Sequence, residues 1–272
     1  MDRRRRHHLP ALSAHPRRIV AAAALALVAL AAVLLVSRAH GGLPDSWVPR
    51  SGHDFITPGL KEMQRDDFAN PGMLWVSQGQ DLWTKIDGKA GKSCASCHGD
   101  MSSMKGIQYP KRAADGRLIN LEIEIEQCRT ERMQAPAFGY ESNALLALTA
   151  AIRNQSRGLP VSIPEDRDAI ATGEAYFRAR RGRFNLACAS CHEQNVGRKL
   201  RDETISQGQT NGFPTYRVRW EKLGSVHRRF QDCNESIGAE PEPLGSQTYI
   251  ALEWFLAWRG KGLAIETPSV RQ

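Results

Sequence analysis

The sequence predicts a mainly α-helical protein made of two tandem copies of one small domain behind an irregular N-terminal extension. Three observations predict it. The pentapeptide Cys-Ala-Ser-Cys-His occurs twice, at residues 94–98 and 188–192. A glycine and an aromatic residue precede each copy at equal distances: Gly79 and Gly173 stand 15 residues before Cys94 and Cys188, and Trp83 and Phe177 stand 11 before them. A segment with apolar residues at helical spacing follows each copy and ends near a glycine.

The chain is 272 residues long. Residues 1–41 read as an export signal, either a cleaved signal peptide or a retained membrane anchor. A basic head containing Arg3, Arg4, Arg5, Arg6, Arg17 and Arg18 is followed by an unbroken apolar run from Ile19 to Val36. Small residues at Ala39-His40-Gly41 suit a cleavage site, while the run just reaches the length of a membrane span. Either outcome delivers the remainder to the periplasm, with the basic head left inside. The leader also accounts for most of the net charge of +8, leaving 30 basic against 28 acidic residues. A nearly balanced mature chain gives no reason to expect a nucleic-acid partner.

Residues 42–74 read as irregular. Helices are expected around Gly79–Trp83 and Gly173–Phe177, ahead of the cysteine motifs. Closing helices are expected within Glu141–Arg157 (Ala144, Leu145, Leu148, Ile152) and Tyr249–Trp258 (Leu252, Phe255, Leu256). They end in the similar phrases Arg157-Gly158-Leu159 and Lys261-Gly262-Leu263, with glycine placed as a C-cap and a proline six residues on, at Pro164 and Pro268. The pattern breaks near Pro160–Arg167, which sets the expected domains at 42–163 and 164–272.

Cys-x-x-Cys-His is the attachment pattern of haem c: two thiols add to the haem vinyl groups and the adjacent histidine ligates the iron. Cys94, Cys97 and His98 would hold one haem, Cys188, Cys191 and His192 a second. Zinc is disfavoured because the copies are 94 residues apart. A redox dithiol would not need a histidine after each pair. The expected architecture is therefore two tandem cytochrome c-like domains, each carrying one covalently bound haem c.

The sixth ligands separate this chain from common electron carriers, which use methionine sulfur. No methionine follows Met133. Two cysteines remain, Cys128 and Cys233, and both precede a closing helix: Cys128 is 30 residues before Gly158, and Cys233 is 29 before Gly262. They are members of the repeat, which favours His98/Cys128 and His192/Cys233 as axial pairs. Three alternatives stay open: a Cys128–Cys233 disulfide, Met133, Met101 or Met104 on the first haem, and His227 on the second. A thiolate lowers the potential of its iron, and Arg228 and Arg229 beside Cys233 would keep the sulfur deprotonated. Arg217, Arg219 and Lys222 extend this basic run, with Glu221 as its one acidic residue. Thiolates are the sulfur nucleophiles, so the pattern points to sulfur chemistry.

Two Cys-x-x-Cys-His motifs, an unpaired cysteine after each, and Arg229-Phe230-Gln231-Asp232-Cys233-Asn234 resemble the SoxA family over about residues 50–266. The resemblance implies an enzyme that joins thiosulfate oxidatively to a cysteine of a SoxYZ-like carrier. It implies a monohaem SoxX-like cytochrome partner and electron transfer to c-type cytochrome. It also implies that Cys233 is the active-site haem ligand, found in the family as a persulfide, that Arg229 holds the anionic substrate, and that the first haem is remote. Two other classes fit the covalent motifs alone: a dihaem electron carrier without catalysis of its own, and a peroxidase-type dihaem protein with an open ligand position.

Overall fold

Repeat-equivalent glycines bring the helices together. The structure is a computed structural model that describes residues 47–272; the expected leader lies outside them. The first helix pair is α2 (Met73–Thr84) on α5 (Asn143–Asn154), and the second is α6 (Arg167–Arg178) on α9 (Gln247–Arg259). At each crossing a glycine lies directly against the partner's backbone. A Cβ on Gly79 would stand 2.2 Å from the Ala147 carbonyl oxygen, and one on Gly173 would stand 2.0 Å from that of Ala251. Only residues without a side chain allow this approach. Val76, Trp83, Leu145 and Leu148 then bury one core; Phe177, Leu252, Phe255 and Leu256 bury another.

The cysteine motifs form one-turn helices, α3 (Cys94–His98) and α7 (Cys188–His192). The serine inside each has a structural task. Ser96 Oγ accepts the Ser93 N–H at 3.0 Å, and Ser190 Oγ accepts the Ala187 N–H at 3.1 Å. Each satisfies an orphan donor at the helix start. A helix carrying the leftover cysteine follows: α4 (Leu121–Gln127), which runs into a π turn at Cys128–Arg132, and α8 (Val226–Ser236), which contains Cys233. Asn120 and Ser225, at the same repeat position, cap them by accepting the N–H groups of Ile123 and Arg228.

More β structure is present than the sequence suggests. Strands β1 (Lys111–Arg112) and β2 (Leu118–Ile119) pair antiparallel, as do β3 (Lys199–Leu200) and β4 (Glu203–Thr204). In the third sheet, β5 (Thr215–Arg217) lies between antiparallel β6 (Lys222–Gly224) and parallel β7 (Ser269–Arg271). These runs are too short to show strand periodicity.

The expected extension is not wholly irregular. It contains a 3₁₀ turn at Gly52–Phe55 and α1 (Pro58–Arg65), started by Thr57 and Pro58. It also docks on the C-terminal half. The Trp47 indole donates to the Arg259 carbonyl at 3.1 Å, Val270 N–H to Gln64 Oε1 at 3.1 Å, and Asn70 Nδ2 to the Pro268 carbonyl at 2.9 Å. The residues around Pro160 form no free linker either. Gly158 and Val161 donate to the carbonyls of Ile265 and Leu263; Gly262 and Ile265 donate to those of Val161 and Leu159. Each bond has its repeat-equivalent, so the two C-cap loops clasp each other about a local pseudo-twofold axis. The described residues all fall in one compact unit. Among them, no helix is long and apolar enough to cross a membrane.

Candidate functional site

Helix α8 carries Cys233 to the haem motif of the second half. Arg229 and Cys233 are four residues apart and share a helix face. The thiol lies beside Cys188 and Cys191 and within hydrogen-bonding range of His192. The His192 ring is held from behind: Nδ1 stands 2.8 Å from the Ser206 carbonyl. That contact takes the N–H on Nδ1 and leaves the lone pair on Nε2, the tautomer found for metal-ligating imidazoles. Gly208 packs on the same ring, where a Cβ would stand 3.1 Å from Cγ. Two thiols and an imidazole on one helical turn, with a third sulfur facing the imidazole, fit a covalently bound haem c with a sulfur distal ligand.

Electrostatics single out Cys233. Burial alone would push its thiol up. Arg229, then His192, then Arg217 outweigh burial and draw it down to about 7. Cys188, with burial as the chief cause, goes the other way, to about 11. Arg229 is itself raised by the Cys233 sulfur. Arg217 comes from β5, where burial, followed by repulsion from Arg229, draws it down to about 10.

The basic run divides. Arg229 and Arg217 act on Cys233, whereas Arg228, expected to do so, turns away. Its guanidinium stacks 4.2 Å from the Trp220 ring centre and lies 4.0 Å from Glu141. Arg219 pairs with Asp202 at 3.2 Å and is half exposed. Glu221 is not the only acidic neighbour. Glu203 reaches Arg217 at 2.5 Å, Arg219 at 3.2 Å and Arg229 at 3.7 Å. Glu203, Asp202 and Ser206 escaped the sequence reading because the β3–β4 hairpin and its exit bring them back across the site.

In the first half, Cys128 lies near Cys94 and Cys97. Its thiol is raised, by burial first and then by Glu124. Trp83 packs on His98 at 5.8 Å between ring centres and donates its indole N–H to the Gly99 carbonyl at 2.9 Å. Met101 and Met104 pack in the core that includes Cys94, and Met133 is buried. Two alternatives change status. All six cysteines are free, so Cys128 and Cys233 do not form a disulfide. His227 is fully buried in the seam between the halves. Gly245 N–H donates to Nδ1 at 3.0 Å, and Nε2 lies 3.2 Å from the Glu253 carboxylate. It is not available to an iron.

Comparison with known proteins places the chain. Residues 78–161 match the family described as SoxA/TsdA, cytochrome c domain. With the helix pairs and cysteine turns above, this defines a c-type cytochrome, a protein with covalently bound haem c. The L-cysteine S-thiosulfotransferase subunit SoxA of Pseudaminobacter salicylatoxidans is 45% identical over 82% of this chain and 80% of its own length. The SoxA of Rhodovulum sulfidophilum is 41% identical with the same coverage. The crystal structure of SoxXA from P. pantotrophus superposes with a TM-score of 0.80 at 36% identity, covering 82% of this chain and 87% of that one. The chain belongs to the SoxA family of L-cysteine S-thiosulfotransferase subunits.

Proposed function

We propose that this protein joins thiosulfate to a cysteine of a SoxYZ-like carrier at Cys233, in the periplasm, as the catalytic partner of a SoxX-like monohaem cytochrome. The observation that carries this reading is the set formed by Cys233, His192 and Arg229: a thiol drawn down to about 7, within hydrogen-bonding range of an imidazole and one helical turn from a guanidinium. Two haem c groups are proposed: Cys94, Cys97, His98 and Cys128 would hold one, and Cys188, Cys191, His192 and Cys233 would hold the other. The tandem domains 42–163 and 164–272 and a leader at 1–41 belong to the same proposal.

The reaction forms one S–S bond. A carrier thiol loses its proton, its thiolate joins the outer sulfur of thiosulfate, and two electrons leave to c-type cytochrome. When bound, haem c supplies a one-electron acceptor beside the sulfur. The chain's own residues do the rest. Arg229 offers a planar fork of donors to the sulfonate oxygens and holds negative charge next to Cys233. Arg217 adds fixed positive charge from a buried strand, where it is worth more than in water. Ser206 fixes the His192 ring.

The decisive experiment is thiosulfate-dependent reduction of the partner cytochrome by wild type and Cys233→Ala, with low-temperature EPR of both. Loss of turnover together with loss of the thiolate signature from one haem is expected. Unchanged turnover removes Cys233 from catalysis, and imidazole or amine coordination in the wild type removes the mechanism.

A further inference from the structure

Three arginines converge on one carboxylate, and two of them, Arg217 and Arg229, act on Cys233. Glu203 Oε1 takes Arg217 at 2.5 Å and Arg219 at 3.2 Å, while Oε2 faces Arg229 at 3.7 Å. The two oxygens thus divide the arginines: one side holds the β5 anchor, the other faces the arginine of α8. The Arg217 side chain is only 5% exposed, its Nε has no partner, and its guanidinium lies 5.1 Å from the Trp220 ring centre. It has almost no freedom to move. Arg229, with its side chain 30% exposed, is the freer of the two. Two guanidinium groups this close repel, and an intervening carboxylate is what allows both to stay.

We propose that Glu203 is a positioning residue: it ties Arg229 to the fixed Arg217 and so sets the direction in which Arg229 presents its donors to the thiosulfate at Cys233. The inference rests on the anion-binding role proposed for Arg229. It has a counter-intuitive sign. A carboxylate beside a dianion site repels the substrate, so on charge alone its removal tightens binding. A carboxylate that aims the arginine has the opposite effect, because a misdirected fork loses its paired hydrogen bonds.

The test compares wild type, Glu203→Gln, Glu203→Asp and Arg229→Ala, each as haem-loaded protein with its partner cytochrome. Calorimetric titration with thiosulfate, without the carrier, gives Kd; turnover gives KM and kcat separately. The haem absorption spectrum and the unfolding midpoint report whether each variant is folded. About tenfold weaker thiosulfate binding in both Glu203→Gln and Glu203→Asp, with KM rising in step, is expected. Glu203→Asp keeps the charge and shortens the reach, so weakening there isolates geometry. Unchanged or tighter binding in Glu203→Gln overturns the positioning role. If Arg229→Ala weakens binding while both Glu203 variants bind as wild type, only the role of Glu203 fails. If Arg229→Ala binds thiosulfate as wild type does, the anion-site reading fails and takes this inference with it.

Discussion

One turn before Cys233 stands Arg229; one turn before Cys128 stands Glu124. The positions are equivalent in the repeat and their charges are opposite. Arg229 lowers the Cys233 thiol, whereas Glu124 adds to the effect of burial and raises that of Cys128. Glu124 is itself held by Lys111 at 3.1 Å. This charge reversal is one of the differences that drive the two thiols in opposite directions. Arg229→Ala should lower kcat/KM for thiosulfate by about 10²–10³, the scale for removing one well-placed donor from a developing anion, measured by steady-state reduction of the partner cytochrome. Redox titration should separate the two halves by sign. With the two haems proposed above in place, Arg229→Gln removes a positive charge and should lower the potential of the C-terminal one, and Glu124→Gln removes a negative charge and should raise that of the N-terminal one. Shifts of the same sign would show that these residues do not set the local potentials. Cys233 and Arg229 were legible in the sequence because both sit on one helix at a spacing of four. Arg217 was legible as part of the basic run, but Glu203 and its contact with Arg217 were not, since that contact spans two hairpins.

Among the elements, the helix crossings were the part of the fold most open to reading, because equal offsets to two cysteine motifs disclose equal geometry. What the offsets could not disclose was why glycine recurs at residues 79 and 173. The answer is the facing carbonyl of Ala147 or Ala251. Two effects compete when alanine replaces such a glycine. Helix propensity favours alanine by about 1 kcal/mol. The clash with a neighbouring backbone forces two helices apart and costs about 1–3 kcal/mol, which wins. Gly79→Ala and Gly173→Ala should therefore lower the unfolding midpoint by several degrees. In α1, a Cβ on Gly59 meets nothing within 4 Å. Gly59→Ala should raise the midpoint or leave it unchanged, and a fall there would contradict the steric account. The one-residue difference between the Cys128–Gly158 and Cys233–Gly262 intervals has a physical counterpart too. The first half places a π turn at Cys128–Arg132, where the second continues as regular helix, and a π turn accommodates an extra residue. Both helices then return to the same contact: Lys89 N–H reaches the Gln134 carbonyl, and Arg183 N–H reaches that of Gly238.

For the whole molecule, the seam between the halves is polar, which no apolar pattern predicts. Asn120 Nδ2 donates to Tyr140 at 2.6 Å and to Glu253 at 3.1 Å, and His227 closes the network against both. Glu122 holds the repeat position of His227 and is buried in the same region. Burial, reinforced by Glu253 and weakly by Glu141, pushes Glu122 up to about 8 despite Arg153. The consequence for stability has a definite sign. From pH 5 to pH 8 the unfolded chain has lost this proton while the folded protein keeps it, so the folded state binds more protons and stability falls as pH rises. The slope is on the order of 1 kcal/mol per pH unit at most, and it ends once the folded carboxyl ionises. Glu122→Gln preserves the shape and the neutral form. Denaturant unfolding of the haem-loaded protein should therefore show wild type losing stability between pH 5.5 and 8.5, with Glu122→Gln losing less and exceeding wild type at the upper end. Parallel pH profiles for the two would mean that the Glu122 carboxyl is already ionised in the folded seam, stabilised there by Arg153.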